Sequence, residues 1–168
     1  MRVFGIAGWS GSGKITLLSR LIPLLVAQGY RVSTIKHAYH EFDIDQPGKD
    51  SHTHRLAGGR DGGDGRVRPT MGADAELREK PKPDLAELLA LMSPVDLVLV
   101  EGFKRHAGPK LEVHRPSLGE PLLQANDPYV LGVASCAALD LLMPVIDLEN
   151  VSEIARFVTA HASWVGTG

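Results

Sequence analysis

The sequence predicts an α/β fold of three layers, with a mostly parallel central sheet and helices on both faces. Three observations predict it. Short apolar runs of strand length, Val3–Ala7, Leu97–Val100 and Tyr129–Ser135, barely alternate, as strands buried on both faces do. Segments with helical apolar periodicity stand between strands, which calls for crossover connections and parallel pairing. The first strand also runs straight into Gly8-Trp9-Ser10-Gly11-Ser12-Gly13-Lys14 and then into a helix. G-x-x-x-x-G-K between strand and helix is a phosphate-binding loop, so the fold is of the P-loop NTPase type.

Composition sets the outer bounds. At 168 residues the chain favours a single domain spanning 1–168, and 43% hydrophobic residues supply a sizeable core. A net charge of -2 provides no global field to recruit nucleic acid or a membrane surface. One cysteine, Cys136, excludes an internal disulfide and fits a reducing cytoplasm. No apolar run reaches the roughly 18–20 residues that span a bilayer. The beginning of the sequence, Arg2 and then a strand, lacks the pattern of a signal peptide.

Taken in order, residues 1–8 read as a first strand and 14–28 as a helix closed by Gly29, with a kink expected at Pro23. Arg31–Lys36 is a short β-branched strand, so strand, helix and strand make a βαβ unit with parallel strands. Residues 36–55 are polar and hold four of the seven histidines. Residues 58–80 are rich in Gly, Asp and Arg without apolar periodicity, which by composition reads as an atypical flexible or disordered loop. Asp84 with Glu87 three later forms a capping box for a helix whose stripe is Leu85, Leu88, Leu89 and Met92, ended by Pro94. Residues 96–102 read as a strong buried strand. Lys110–Arg115 alternates and reads as half-exposed, 129–135 is another core strand, and Val145-Ile146 is a short one. Asn150 caps a final helix with the stripe Val151, Ile154, Ala155 and Val158.

The glycines allow a tight turn that aims backbone N–H groups inward, and the following helix presents its positive end to the same anion. Lys14 adds a full charge for the outer phosphates. The residue after that lysine is normally Ser or Thr, whose hydroxyl ligates magnesium. Here it is Ile15, which has no oxygen, and Thr16 points about 100° further round the helix. Phosphate binding should survive this change, whereas magnesium affinity and hydrolysis should suffer. Glu101, at the carboxyl end of an apolar strand, stands where an acid can hold magnesium directly or through water. Asp96 starts the same strand, about 16 Å away at ~3.3 Å per residue. Lys104 and Arg105 could reach phosphate oxygens or be solvated loop charges. His37, His40, His52 and His54 lack the spacing of a structural zinc site, and Asp43 and Asp45 are the harder, better magnesium ligands.

These motifs together resemble a known family. G-W-S-G-S-G-K (8–14), I-K-H-x-x-H-x-F-D-I-D-x-P-G-K-D-S (35–51), V-D-L-V-L-V-E-G-F-K (95–104) and K-L-E-V-H-R-P (110–116) resemble, in order and spacing, the molybdopterin-guanine dinucleotide biosynthesis protein B (MobB) family. The resemblance covers most of 1–57 and 81–160. It implies a cytoplasmic, dimeric, GTP-binding and weakly GTP-hydrolysing protein. Such proteins assist the guanylyltransferase MobA, which joins GMP to molybdopterin. Carried onto this sequence, it implies a nucleotide site of Ser10, Gly11, Ser12, Gly13, Lys14, Ile15 and Thr16, with Lys14 and Glu101 as the catalytic pair. Magnesium is then handled around Asp45, Glu101 and Thr16. The sequence departs from the family at Ile15, where the family has Thr, and at Cys136, where an acid reading the guanine edge is expected. It departs again across 58–80, where the resemblance is lost and then resumes by Glu79 with little change of length. A local change of reading frame would produce that pattern. Two other readings stay open: a P-loop small-molecule kinase, whose arginine-rich lid could only be 60–68, and a partner protein that binds nucleotide without turnover.

Overall fold

A computed structural model of the chain describes residues 1–36, 85–102 and 107–164. Its centre is a seven-stranded sheet. Strands β1 (Arg2–Ala7), β2 (Val32–Lys36), β3 (Leu97–Glu101), β4 (Lys110–His114), β5 (Val130–Ser135) and β6 (Val145–Asp147) lie in the order β2-β3-β1-β4-β5-β6. All five pairings along that path are parallel. A two-residue strand, β7 (Ser163–Trp164), pairs antiparallel with the start of β1 and was not anticipated from the sequence. Strands β1 and β2 are parallel in one sheet as expected, with β3 between them.

Helices α1 (Lys14–Ala27) and α3 (Val151–His161) cover one face, and the short helix α2 (Leu85–Ala90) covers the other. Alternation along the strands assigns the faces. Phe4, Ile6, Leu97, Leu99, Leu111 and Val113 pack with Leu17, Leu18, Leu21 and Leu25 of α1, and with Ile154 and Val158 of α3. Val3, Val98 and Val100 pack with Leu85, Leu89 and Met92 on the opposite side. Helix α1 runs unbroken through Pro23, whose ring is exposed, and Gly29 turns the chain out at φ +92°. Asn150 caps α3, accepting from Glu153 N at 3.2 Å while its amide donates to the Glu153 carboxylate at 2.8 Å.

Strand β4 corrects one expectation. All five of its residues are buried, not every second one. Leu111 and Val113 face α1 as the alternation requires, but the polar set is covered by the chain that follows β4. Lys110 pairs with Asp127 at 2.6 Å. Glu112 is fully buried, and its two carboxylate oxygens accept the backbone N–H groups of Leu123 and Gln124 at 2.8 and 3.0 Å. Each buried charge is thus matched, which makes its burial tolerable.

At the other end of β3, Asp96 is the strand-start residue expected. Its carboxylate accepts from Arg31 N, Nε and Nη2 at 2.8, 3.1 and 2.9 Å. These hydrogen bonds, with the charge of Arg31, hold its pKa below the usual carboxylate value. A lowered folded-state pKa gives stability that is present above the unfolded value and lost as pH falls through the folded one. Asp96→Asn is therefore expected to lower the melting temperature slightly at neutral pH, the pair being exposed, and to melt like the parent in acid. Glu112→Gln removes one acceptor from a pair of buried N–H donors. It should cost about 1–3 kcal/mol, read by denaturant unfolding.

Candidate functional site

Register places the site. Ile6 of β1 lies level with Glu101 of β3, and Ala7 lies level with Glu112 of β4. The glycine loop therefore leaves the sheet one residue past Glu101, with neighbouring strands only about 4.8 Å away. Strand β4 continues past the end of β1, and its Val113 carbonyl occupies the space beside Gly8. A Cβ on Gly8 would meet that oxygen at 2.5 Å. Gly8 at φ +146° and Gly13 at φ +102° also hold backbone conformations that side-chain-bearing residues rarely adopt.

The loop is internally braced. Ser12 N donates to Trp9 O at 3.2 Å, and Lys14 Nζ donates to Gly8 O at 3.0 Å and Trp9 O at 2.8 Å. The lysine thus folds back over the loop it follows. Helix α1 begins on a Gly13 that offers no side-chain cap. Leu17 N bonds Gly13 O at 2.9 Å, but the N–H groups of the first turn before it have no intrahelical acceptor. This is the geometry that receives an anion at a helix start.

Glu101 shares its strand face with Leu97 and Leu99, the face that α1 covers, so its carboxylate lies on the side of the lysine and the helix start. It is 6% exposed. Among the described residues two buried side-chain polar atoms have no hydrogen-bond partner, Ser12 Oγ and Glu101 Oε2. Both belong to this edge of the sheet. An unpaired buried polar atom costs about 1–3 kcal/mol, so two at one place point to groups that a ligand satisfies. A serine hydroxyl in the loop and a carboxylate beside it suit a polyphosphate and the hard cation that accompanies it.

The remaining expected residues fall as follows. Ile15 is half-buried and Thr16 is exposed on the first turn, its carbonyl accepting from Ser19 Oγ at 2.9 Å. Cys136 is exposed just beyond β5, on the same edge as the loop. Asp43, Asp45, the four histidines between 37 and 54, Lys104, Arg105 and the whole of 58–80 lie outside the described residues. Arg115 is the residue that sequence reasoning missed. Its Nε donates to Ser12 O at 3.0 Å. The signal was present in K-L-E-V-H-R-P, but an arginine after a strand reads by default as a solvated loop charge. Trp9 is a second such residue, its indole donating to Pro121 O at 2.7 Å.

Comparison with known proteins decides the family. A sequence profile described as molybdopterin guanine dinucleotide synthesis protein B matches residues 3–136. The chain belongs to the MobB family. It is 40% identical over 162 residues to a molybdopterin-guanine dinucleotide biosynthesis adapter protein of Haemophilus influenzae, covering 93% of this chain and 86% of that protein. To the Escherichia coli adapter protein it is 37% identical over 162 residues, covering 93% and 90%. The crystal structure of a MobB homologue from Bacillus stearothermophilus superposes with a TM-score of 0.62 at 27% identity, covering 95% of this chain and 97% of that one. The structure of Bacillus subtilis MobB gives 0.62 at 19% identity and shares the fold. Among the described residues no helix is long and apolar enough to cross a membrane.

Lys14→Ala is expected to weaken triphosphate binding about ten- to a hundredfold, the worth of a charge-assisted hydrogen bond. Monophosphate binding should weaken less. Calorimetric titration with both ligands checks this.

Proposed function

We propose that the chain binds GTP with magnesium at Ser10–Thr16 and acts as a weakly hydrolysing adapter in the synthesis of molybdopterin guanine dinucleotide. The observation that supports the nucleotide part is the pair of orphaned buried atoms, Ser12 Oγ and Glu101 Oε2, at the sheet edge where a helix starts without a side-chain cap. The pathway part rests on family membership and on relatives named as adapter proteins of that synthesis. Backbone N–H groups of the loop and of the first helical turn hold phosphate oxygens, and Lys14 neutralises the outer ones. Glu101 supplies the acidic group toward magnesium, with Asp45 and Thr16 as further candidate ligands. When bound, the ion spreads the negative charge of the outer phosphates and so favours transfer to water. The same family reading gives a cytoplasmic homodimer that works with a MobA-like guanylyltransferase and with molybdopterin.

Ile15 favours a second reading, a protein that binds nucleotide and hardly turns it over. The missing hydroxyl removes the usual first ligand of the metal without touching the backbone grip.

Titration of GTP and ATP with and without magnesium, followed by phosphate release, tests both readings. The adapter reading expects GTP to bind more tightly than ATP, with slow release of phosphate. Equal affinity for the two overturns the GTP assignment, and binding without any release favours the second reading. Ile15→Thr is expected to raise magnesium-dependent affinity and turnover together. No change in either means that another oxygen already fills the position.

A further inference from the structure

Arg115 follows β4 in an extended conformation, φ −122° and ψ 108°. Strand alternation therefore sets it on the face of Leu111 and Val113, the face that α1 covers. From there its Nε reaches Ser12 O at 3.0 Å. The guanidinium lies over Gly13, with Nε and Nη2 each 3.2 Å from where a Cβ would stand.

The Ser12 carbonyl and the Gly13 N–H belong to one peptide unit. That unit is planar and trans, so the two groups point in opposite directions. A guanidinium that holds the carbonyl turns the Gly13 N–H away from itself and from β4. Gly13 at φ +102° can take up that orientation, and a residue with a Cβ there would also strike the arginine. Ser12 itself is 1% exposed and its hydroxyl has no partner, so the residue whose carbonyl is clamped also holds an unsatisfied polar atom ready for a ligand.

We propose that Arg115 is a positioning residue for anion binding: it fixes the Ser12–Gly13 peptide so that the Gly13 N–H is presented to phosphate, without touching the phosphate itself. The inference deepens the reading of the loop as a phosphate site and rests on it, while it is independent of which base the ligand carries.

The test compares the parent chain, Arg115→Ala and Arg115→Lys, with inorganic tripolyphosphate, GDP and GTP as probes. Arg115→Ala is expected to weaken all three by a similar factor, on the order of tenfold, because a misdirected amide is lost to every anion. Guanidinium ion, added below its denaturing range, should restore binding to Arg115→Ala. The compact ammonium of Arg115→Lys should restore less, since it lacks the planar fork. In the ligand-free protein the Gly13 amide resonance should move in Arg115→Ala and return with guanidinium. Unchanged affinity, a loss that guanidinium does not repair, or a Gly13 amide that stays in place overturns the inference. A loss confined to GTP also overturns it, because that would mean direct contact with the outermost phosphate. A parent chain that binds tripolyphosphate but no nucleoside triphosphate sinks the nucleotide reading and leaves the role of Arg115 standing.

Discussion

The end of β1 is confined on both sides, and the geometry of the site follows from that confinement. Its neighbours β3 and β4 run parallel to it, so all three carboxyl ends emerge at one edge, and β4 runs past the last paired residue of β1. The backbone leaving Ala7 must pass beside the Val113 carbonyl with no room for a Cβ, then enter a helix that returns over the face it has just left. A glycine-rich turn is the solution that sterics permit. Its cost is a set of N–H groups at the helix start without intrahelical acceptors. Unpaired N–H groups at a helix start are the arrangement that suits an anion.

Two buried glutamates flank this turn and show how the sheet sorts like groups into different roles. Glu101 and Glu112 stand next to the last residues of β1, one on each neighbouring strand. Alternation puts them on opposite faces. Glu112 meets the chain after β4 and is satisfied there by two backbone N–H groups, so it ties that segment down. Glu101 meets the side of α1 and keeps an oxygen without a partner. Strand parity thus divides two like side chains into a structural tether and an acid that keeps an unpartnered oxygen.

Much of this was legible in the sequence because the signals were local. The apolar run before Gly8, the spacing of Leu17, Leu18, Leu21 and Leu25, and the Asn150 to Glu153 cap each describe their own neighbourhood, and each appears where expected. What stayed hidden depended on contacts between distant segments. The alternation of β4 implies a wet face, and nothing in it reveals that residues 123–127 return to cover Lys110 and Glu112. Arg115 and Ser12 are 103 positions apart, so their bond leaves no trace in either motif. Strand β7 has two residues and no pattern of its own; it forms because the first residues of β1 offer an edge that β4, paired only from Gly5 onward, does not cover.

The departure at Ile15 separates two properties that the phosphate loop usually joins. The hydrogen bonds and torsions that brace the loop belong to its neighbours and not to the Ile15 side chain. The turn is set by the Gly8 and Gly13 torsions, the Lys14 bonds to Gly8 O and Trp9 O, and the Arg115 clamp on Ser12 O. The proposed grip on an anion would therefore be built from backbone and from residues on either side of Ile15. On the proposed reading a metal would be held by side-chain oxygens; the position after Lys14 offers none, while Glu101 keeps an oxygen without a partner. In an adapter, holding a nucleotide in a fixed pose is enough to present it or to report its presence. Under the proposed function, a loop that keeps its backbone geometry and lacks the hydroxyl after Lys14 fits an adapter that holds nucleotide more than it turns it over.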